Sequence, residues 1–171
     1  GNRYINIIRS NKNQPIQDIF VRINECLNAE LKKNQDKLSD LRWQEEHLPY
    51  VGNIFLGHVR YGTFGKNSLE NVHPFQRQSN CKHQNLIVAG NFNMTNNKEL
   101  FNNLVLLGQH PKEMSDTVTV MEKIGHFLDN EVSKIYKNLK KQKVSKIDAS
   151  PLIEEALDIP RILKKASEDW D

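Results

Sequence analysis

A lone arginine, Arg60, ends an apolar run of β-formers, Ile54-Phe55-Leu56-Gly57-His58-Val59, and the chain then breaks into the turn Tyr61-Gly62-Thr63-Phe64-Gly65. A short buried strand that ends in a charged side chain holds that charge rigidly at the mouth of a site. An arginine at a strand end is equally compatible with a solvated surface position. A second apolar run, Leu86-Ile87-Val88-Ala89, leads into the amide-rich turn Gly90-Asn91-Phe92-Asn93-Met94-Thr95-Asn96, and Ser115-Asp116-Thr117 stands directly ahead of a long helical pattern. His73, beside Pro74 in a loop, is either a base or a structural hydrogen-bonder. Cys26 lies on the apolar side of a helical pattern, as a packed thiol does, whereas Cys81 falls in the polar run 76–84, which reads as exposed loop.

In this order, His58-Val59-Arg60-Tyr61-Gly62-Thr63, His73-Pro74-Phe75, Ala89-Gly90-Asn91-Phe92-Asn93-Met94-Thr95-Asn96 and Ser115-Asp116-Thr117 resemble the glutaminase domain of class II glutamine amidotransferases. Within that family the resemblance is to the amidophosphoribosyltransferase branch of purine synthesis, and it covers residues 53–128. It implies an α+β fold of the N-terminal nucleophile hydrolase type, an αββα sandwich of stacked antiparallel sheets between helices, incomplete over residues 1–171. A phosphoribosyltransferase domain is absent from this stretch.

The resemblance also assigns roles. A glutaminase holds free glutamine by its amino-acid end, attacks the side-chain amide and stabilises the oxyanion that forms. Arg60 matches the arginine whose planar fork takes the α-carboxylate. Asp116 matches the carboxylate that takes the α-ammonium, and Tyr61 and Thr63 match pocket-lining positions. Holding both ends delivers the amide in one orientation. Asn91 and the backbone N–H of Phe92 match the oxyanion donors. No cofactor is implied in this domain, and Mg only on the absent phosphoribosyltransferase domain. The implied partners are glutamine and either missing segments of the same polypeptide or a homo-oligomer, with no nucleic acid and no membrane.

Three departures qualify the match. Phe92 stands where the family has glycine, so its N–H donates only if a residue with a Cβ accepts the local backbone shape. Phe64 stands where a histidine is common. The family nucleophile is a cysteine at the mature N-terminus, activated by its own α-amine of pKa about 8. This chain opens on Gly1, without an initiator methionine, and is expected to be a processed chain or a fragment that does not turn over glutamine alone. A non-catalytic regulatory or scaffolding module with a glutamine-like pocket is the first rival reading, and another N-terminal nucleophile amidase the second.

Several elements must position these residues. Residues 4–8 read as a strand. Pro15 opens a helix whose apolar stripe runs from Ile16 to Leu31, and a shorter helix around Leu41 ends before Pro49. Residues 53–61 and 86–90 read as strands, and residues 62–84 as loop. A helix over 97–107 ends at Gly108. The longest helix follows Ser115 and carries Val120, Met121, Ile124, Phe127, Leu128, Val132, Ile135 and Leu139. Lys134, Lys137, Lys140, Lys141, Lys143 and Lys146 crowd its end, either as a phosphate or nucleic-acid patch or as a solvated terminus complementing the helix dipole; with only Tyr136 interleaved for stacking, the second reading is favoured. Ser150-Pro151 and Asp158-Ile159-Pro160 read as two further helix starts.

A chain of 171 residues fits one domain. Its formal charge of +3 does not by itself call for nucleic acid. With 37% hydrophobic residues, a mean hydropathy of −0.66 and no signal peptide or long apolar run, it reads as soluble. Two cysteines without metal-ligand spacing point to a reducing, cytoplasmic setting.

Overall fold

The structure, a computed structural model, describes residues 5–59, 69 and 72–171, and divides into two units, residues 1–73 and 74–171. In the first unit, α1 (Pro15–Lys33) begins as the sequence indicates, with proline in its first turn. Its expected inward face is not realised. No α1 residue is buried, and Ile16 and Phe20 are 57% and 60% exposed. A 3-10 turn (Gln35–Lys37) leads to α2 (Leu41–His47), capped by Asp40 Oδ1, which accepts from Trp43 N–H at 3.0 Å. Leu48 is the one buried hydrophobic residue among those described in this unit.

Two expected strands are corrected here. Residues 5–8 carry no regular structure. The described part of the 53–61 run, residues 53–59, is also irregular, with Ile54 91% exposed. β-formers express their preference only through cross-strand packing and a paired ladder, and no described residue supplies one to this run.

The second unit is organised on α4 (Asp116–Lys141). Ser115 caps it, its Oγ accepting from Val118 N–H at 3.4 Å. The apolar stripe then does what its spacing predicts: Val120, Ile124, Leu128 and Val132 form one buried cluster with Ile153, Ile162 and Ala166. Phe127, Ile135 and Leu139 pack at its margin.

The helix α3 (Asn97–Leu106) buries Leu100 and Leu104 and packs on α4. Its end is a Schellman motif. Gly108 has φ +83°, its N–H reaches the Val105 carbonyl, and Gln109 N–H reaches that of Leu104.

The loop expected over 62–84 contains a strand. β1 (Phe75–Arg77) pairs antiparallel with β2 (Leu86–Val88), Gln76 opposite Ile87. Between them Ser79 N–H donates to Asn85 Oδ1 at 2.8 Å and Ser79 Oγ–H to Gln84 Oε1 at 2.9 Å. This turn folds Cys81 back so that it is half-buried against the core cluster rather than exposed.

The helix α5 (Lys146–Ala156) starts earlier than Ser150. Ser145 caps it, its Oγ accepting from Asp148 N–H, and Pro151 lies inside it. α6 (Ile159–Ala166) opens at the expected Asp158, whose Oδ1 accepts from Arg161 N–H at 3.0 Å. The content is α+β, six helices and one two-stranded sheet among the described residues. Among them no helix is long and apolar enough to cross a membrane.

Candidate functional site

The amide-rich turn and the start of α4 come together. Met94 N–H donates to Asp116 Oδ2 at 3.2 Å, so the two motifs, 22 positions apart, share a hydrogen bond. Ser115 takes the cap of α4, which leaves Asp116 in the first turn beside the positive end of the helix dipole. Oδ1 of Asp116 accepts no hydrogen bond among the described residues.

Phe92 and Met94 pack against the core cluster, whereas Asn91 and Asn93 between and beside them are exposed. The Phe92 ring folds back over Gly90, where a Cβ would lie 2.5 Å from Phe92 Cε2. A side chain at 90 would therefore force the Phe92 ring to shift. Phe92 itself has no positive φ; among the described residues only Tyr50, Lys143 and Gly108 do. The phenylalanine at 92 therefore imposes no left-handed strain on its N–H.

The other side of the turn is held by the segment after α6. Thr95 N–H donates to the Asp171 carbonyl at 2.9 Å and Thr95 Oγ–H to Asp171 Oδ2 at 2.8 Å. Asn96 Nδ2 donates to the Asp169 carbonyl at 2.6 Å, and Lys123 Nζ reaches Asp169 Oδ2 at 2.7 Å. Nothing in the sequence signals these partners, because each pair is separated by at least 46 positions.

Arg60, Tyr61 and Thr63 lie outside the described residues. Of the sequence-derived site, the structure therefore brings together the 90–96 turn and Asp116. His73 is buried and its ring stacks on His58, centroids 4.5 Å apart, the packing of a structural side chain. Among the described residues no group of three or more His, Cys, Asp or Glu is placed to hold a metal ion. An open groove along the outer face of α4 is lined by Asn130, Ser133, Lys134, Lys137, Asn138, Lys140 and Lys141, the solvated helix end that the sequence indicates.

Behind the site, Arg77 ties the sheet to α4. Its Nη1 and Nη2 grip Asp129 Oδ1 and Oδ2 at 3.0 and 2.5 Å, its Nε donates to Glu122 Oε2 at 3.0 Å, and Nη1 also reaches the Gln84 carbonyl at 3.3 Å. The Asp129 pairing, then Glu122, raises the guanidinium pKa against the opposing effect of burial.

His83 adds a pH-sensitive contact. Its side chain is 6% exposed, Nε2 lies 3.2 Å from Ser150 Oγ, and Nδ1 is 3.8 Å from Glu154. Burial, then the Lys82 charge, lowers its pKa from the usual 6.5 against the pull of Glu154. Well above pH 6.5 the ring is neutral whether folded or not. Below it the unfolded ring takes a proton that the folded ring resists, so stability falls as pH drops until the folded ring also titrates. The urea midpoint should therefore decline below pH 6.5, and His83→Asn should flatten that decline.

The chain is similar in sequence to three proteins. Over 87 residues the chain is 42% identical to Amidophosphoribosyltransferase 3, chloroplastic, of Arabidopsis thaliana, covering 51% of this chain and 16% of that one. It is 31% identical over 100 residues to the amidophosphoribosyltransferase of Archaeoglobus fulgidus, covering 58% and 21%. It is also 31% identical over 99 residues to the glutamine–fructose-6-phosphate aminotransferase [isomerizing] of Sulfurisphaera tokodaii, covering 58% and 16%. The chain thus spans only 16 to 21% of the length of these curated relatives. No family model and no solved structure matches it.

Proposed function

We propose that this chain is the glutamine-holding part of an amidotransferase glutaminase resembling amidophosphoribosyltransferase. The observation that carries the reading is the hydrogen bond between Met94 and Asp116, which joins two motifs that the glutaminase resemblance requires at one site. Similarity to two amidophosphoribosyltransferases and a glutamine-dependent aminotransferase supports it.

In this reading Arg60 receives the α-carboxylate as a two-pronged donor, and Asp116 receives the α-ammonium on Oδ1 while Oδ2 stays with Met94. Tyr61 and Thr63 line the side of the substrate. The amide oxygen, as it becomes an oxyanion, faces the Asn91 side chain and the Phe92 N–H. The nucleophile is a cysteine whose free α-amine serves as base. Cys26 and Cys81 have their α-amines in peptide bonds and cannot fill that role. The whole domain is then an αββα sandwich, of which these residues supply part, and the released ammonia passes to phosphoribosyl pyrophosphate on a separate domain.

Titration calorimetry with glutamine tests the pocket. Arg60→Ala and Asp116→Asn should each weaken binding at least about tenfold, the effect of losing one charge-assisted contact. Undiminished binding by either variant would overturn the assignment. Binding by a polypeptide that opens on cysteine yet releases no ammonia would leave a regulatory module instead.

A further inference from the structure

We propose that the turn after α6, through Asp169 and Asp171, is a positioning element for the glutamine site; this rests on the function proposed above. The turn engages the motif twice, at Thr95 through the Asp171 carbonyl and carboxylate, and at Asn96 through the Asp169 carbonyl. It is itself anchored twice. Trp170 packs on the core cluster, and the Asp169 carboxylate is held by Lys123, a residue only 8% exposed.

Lys123 lies on α4 seven positions beyond Asp116, and Asp116 holds Met94. The contacts therefore close a ring: α4 to the turn through Lys123, the turn to the motif through Thr95 and Asn96, and the motif back to α4 through Asp116. On its other side the motif is held by the packing of Phe92 and Met94 on the core cluster and by the Met94 hydrogen bond to Asp116. The attachments at Thr95 and Asn96 add a second fixed side, and so restrain where the Asn91 side chain and the Phe92 N–H stand relative to Asp116. The separation of those groups decides whether a bound amino acid presents its side-chain amide to the oxyanion donors.

A purely structural role for the turn, such as ordering the start of α3, predicts a different result. It would move stability and leave ligand affinity alone. Thr95 and the Asp169 side chain are exposed, so Thr95→Val and Asp169→Ala can be made without opening the core. In the full chain, both should raise the glutamine dissociation constant about tenfold, well short of the roughly hundredfold that a 1 Å misplacement costs in rate. Thr95→Ser, which restores the hydroxyl donor, should recover the affinity. The amide signals of Asn91 and Phe92 should shift on adding glutamine to the unaltered chain and shift less in Thr95→Val.

Glutamine binding by the unaltered chain and both variants with equal affinity would overturn the positioning role while leaving the pocket intact. Equal weakening by Thr95→Val and Thr95→Ser would overturn it too. Failure of the unaltered chain to bind glutamine would overturn the functional reading and this inference with it.

Discussion

Arg77→Ala should lower the unfolding free energy by about 2–4 kcal/mol, read from urea denaturation. Removing one partner from a buried ion pair costs about 3–5 kcal/mol, because the remaining charge is stranded. Here two carboxylates lose their cation, while Asp129 at 30% and Glu122 at 20% side-chain exposure keep some access to water, which discounts the loss. Arg77 is the last residue of the three-residue strand β1, so the loss should be felt along the sheet as well. A change below about 0.5 kcal/mol, the level of exposed pairs, would show that water screens the network and that the sheet is held by its apolar contacts alone.

Gly125→Ala should reverse its usual sign. In a helix interior this substitution ordinarily stabilises by about 1 kcal/mol. Gly125 lies mid-way along α4, under the Arg77 side chain, and a Cβ there would lie 2.5 Å from Nε and 2.6 Å from Cδ. The arginine cannot swing aside cheaply, since its guanidinium is pinned by Asp129, Glu122 and the Gln84 carbonyl. Overpacking of this kind costs about 1–3 kcal/mol, and partial loss of the ion pairs adds to it. Combining the two changes separates the causes. Once Arg77 is alanine the obstruction is gone, and Gly125→Ala should then stabilise by about 1 kcal/mol. If Gly125→Ala destabilised equally in both backgrounds, the clash would not be with Arg77.

The elements legible in the sequence were those specified by neighbours within one or two turns. Ser115 and Asp158 accept from N–H groups three positions on, and Gly108 and Gln109 close α3 through their N–H groups to the Val105 and Leu104 carbonyls. The 3.6-residue stripe of α4 finds its core because a helix face is set by local geometry alone. What misled was equally local. The apolar run at 53–59 has strand composition but no paired ladder among the described residues, and residues 75–77 have little strand character yet form one because residues 86–88 lie opposite. The polar run around Cys81 reads as exposed loop, yet the Ser79 hydrogen bonds fold it back and the His83 contact with Ser150 ties it to α5. Pro151 reads as a helix start, yet the cap at Ser145 begins α5 a turn and a half earlier.

By itself the sequence nominated Arg60 and Asp116 for the two ends of an amino acid and Asn91 and the Phe92 N–H as oxyanion donors, through their order in motifs that resemble a glutaminase. It also determined the helices that carry Asp116 and flank Asn91. Only the tertiary structure decided that the 90–96 turn is fastened to Asp116 on one side and to Asp169 and Asp171 on the other. It alone decided, too, that Arg77 must run over a glycine to reach carboxylates 45 and 52 positions away. Such contacts cost chain entropy that no local pattern records, and they form only where the packing of α3, α4 and α6 has already brought their partners within hydrogen-bond reach.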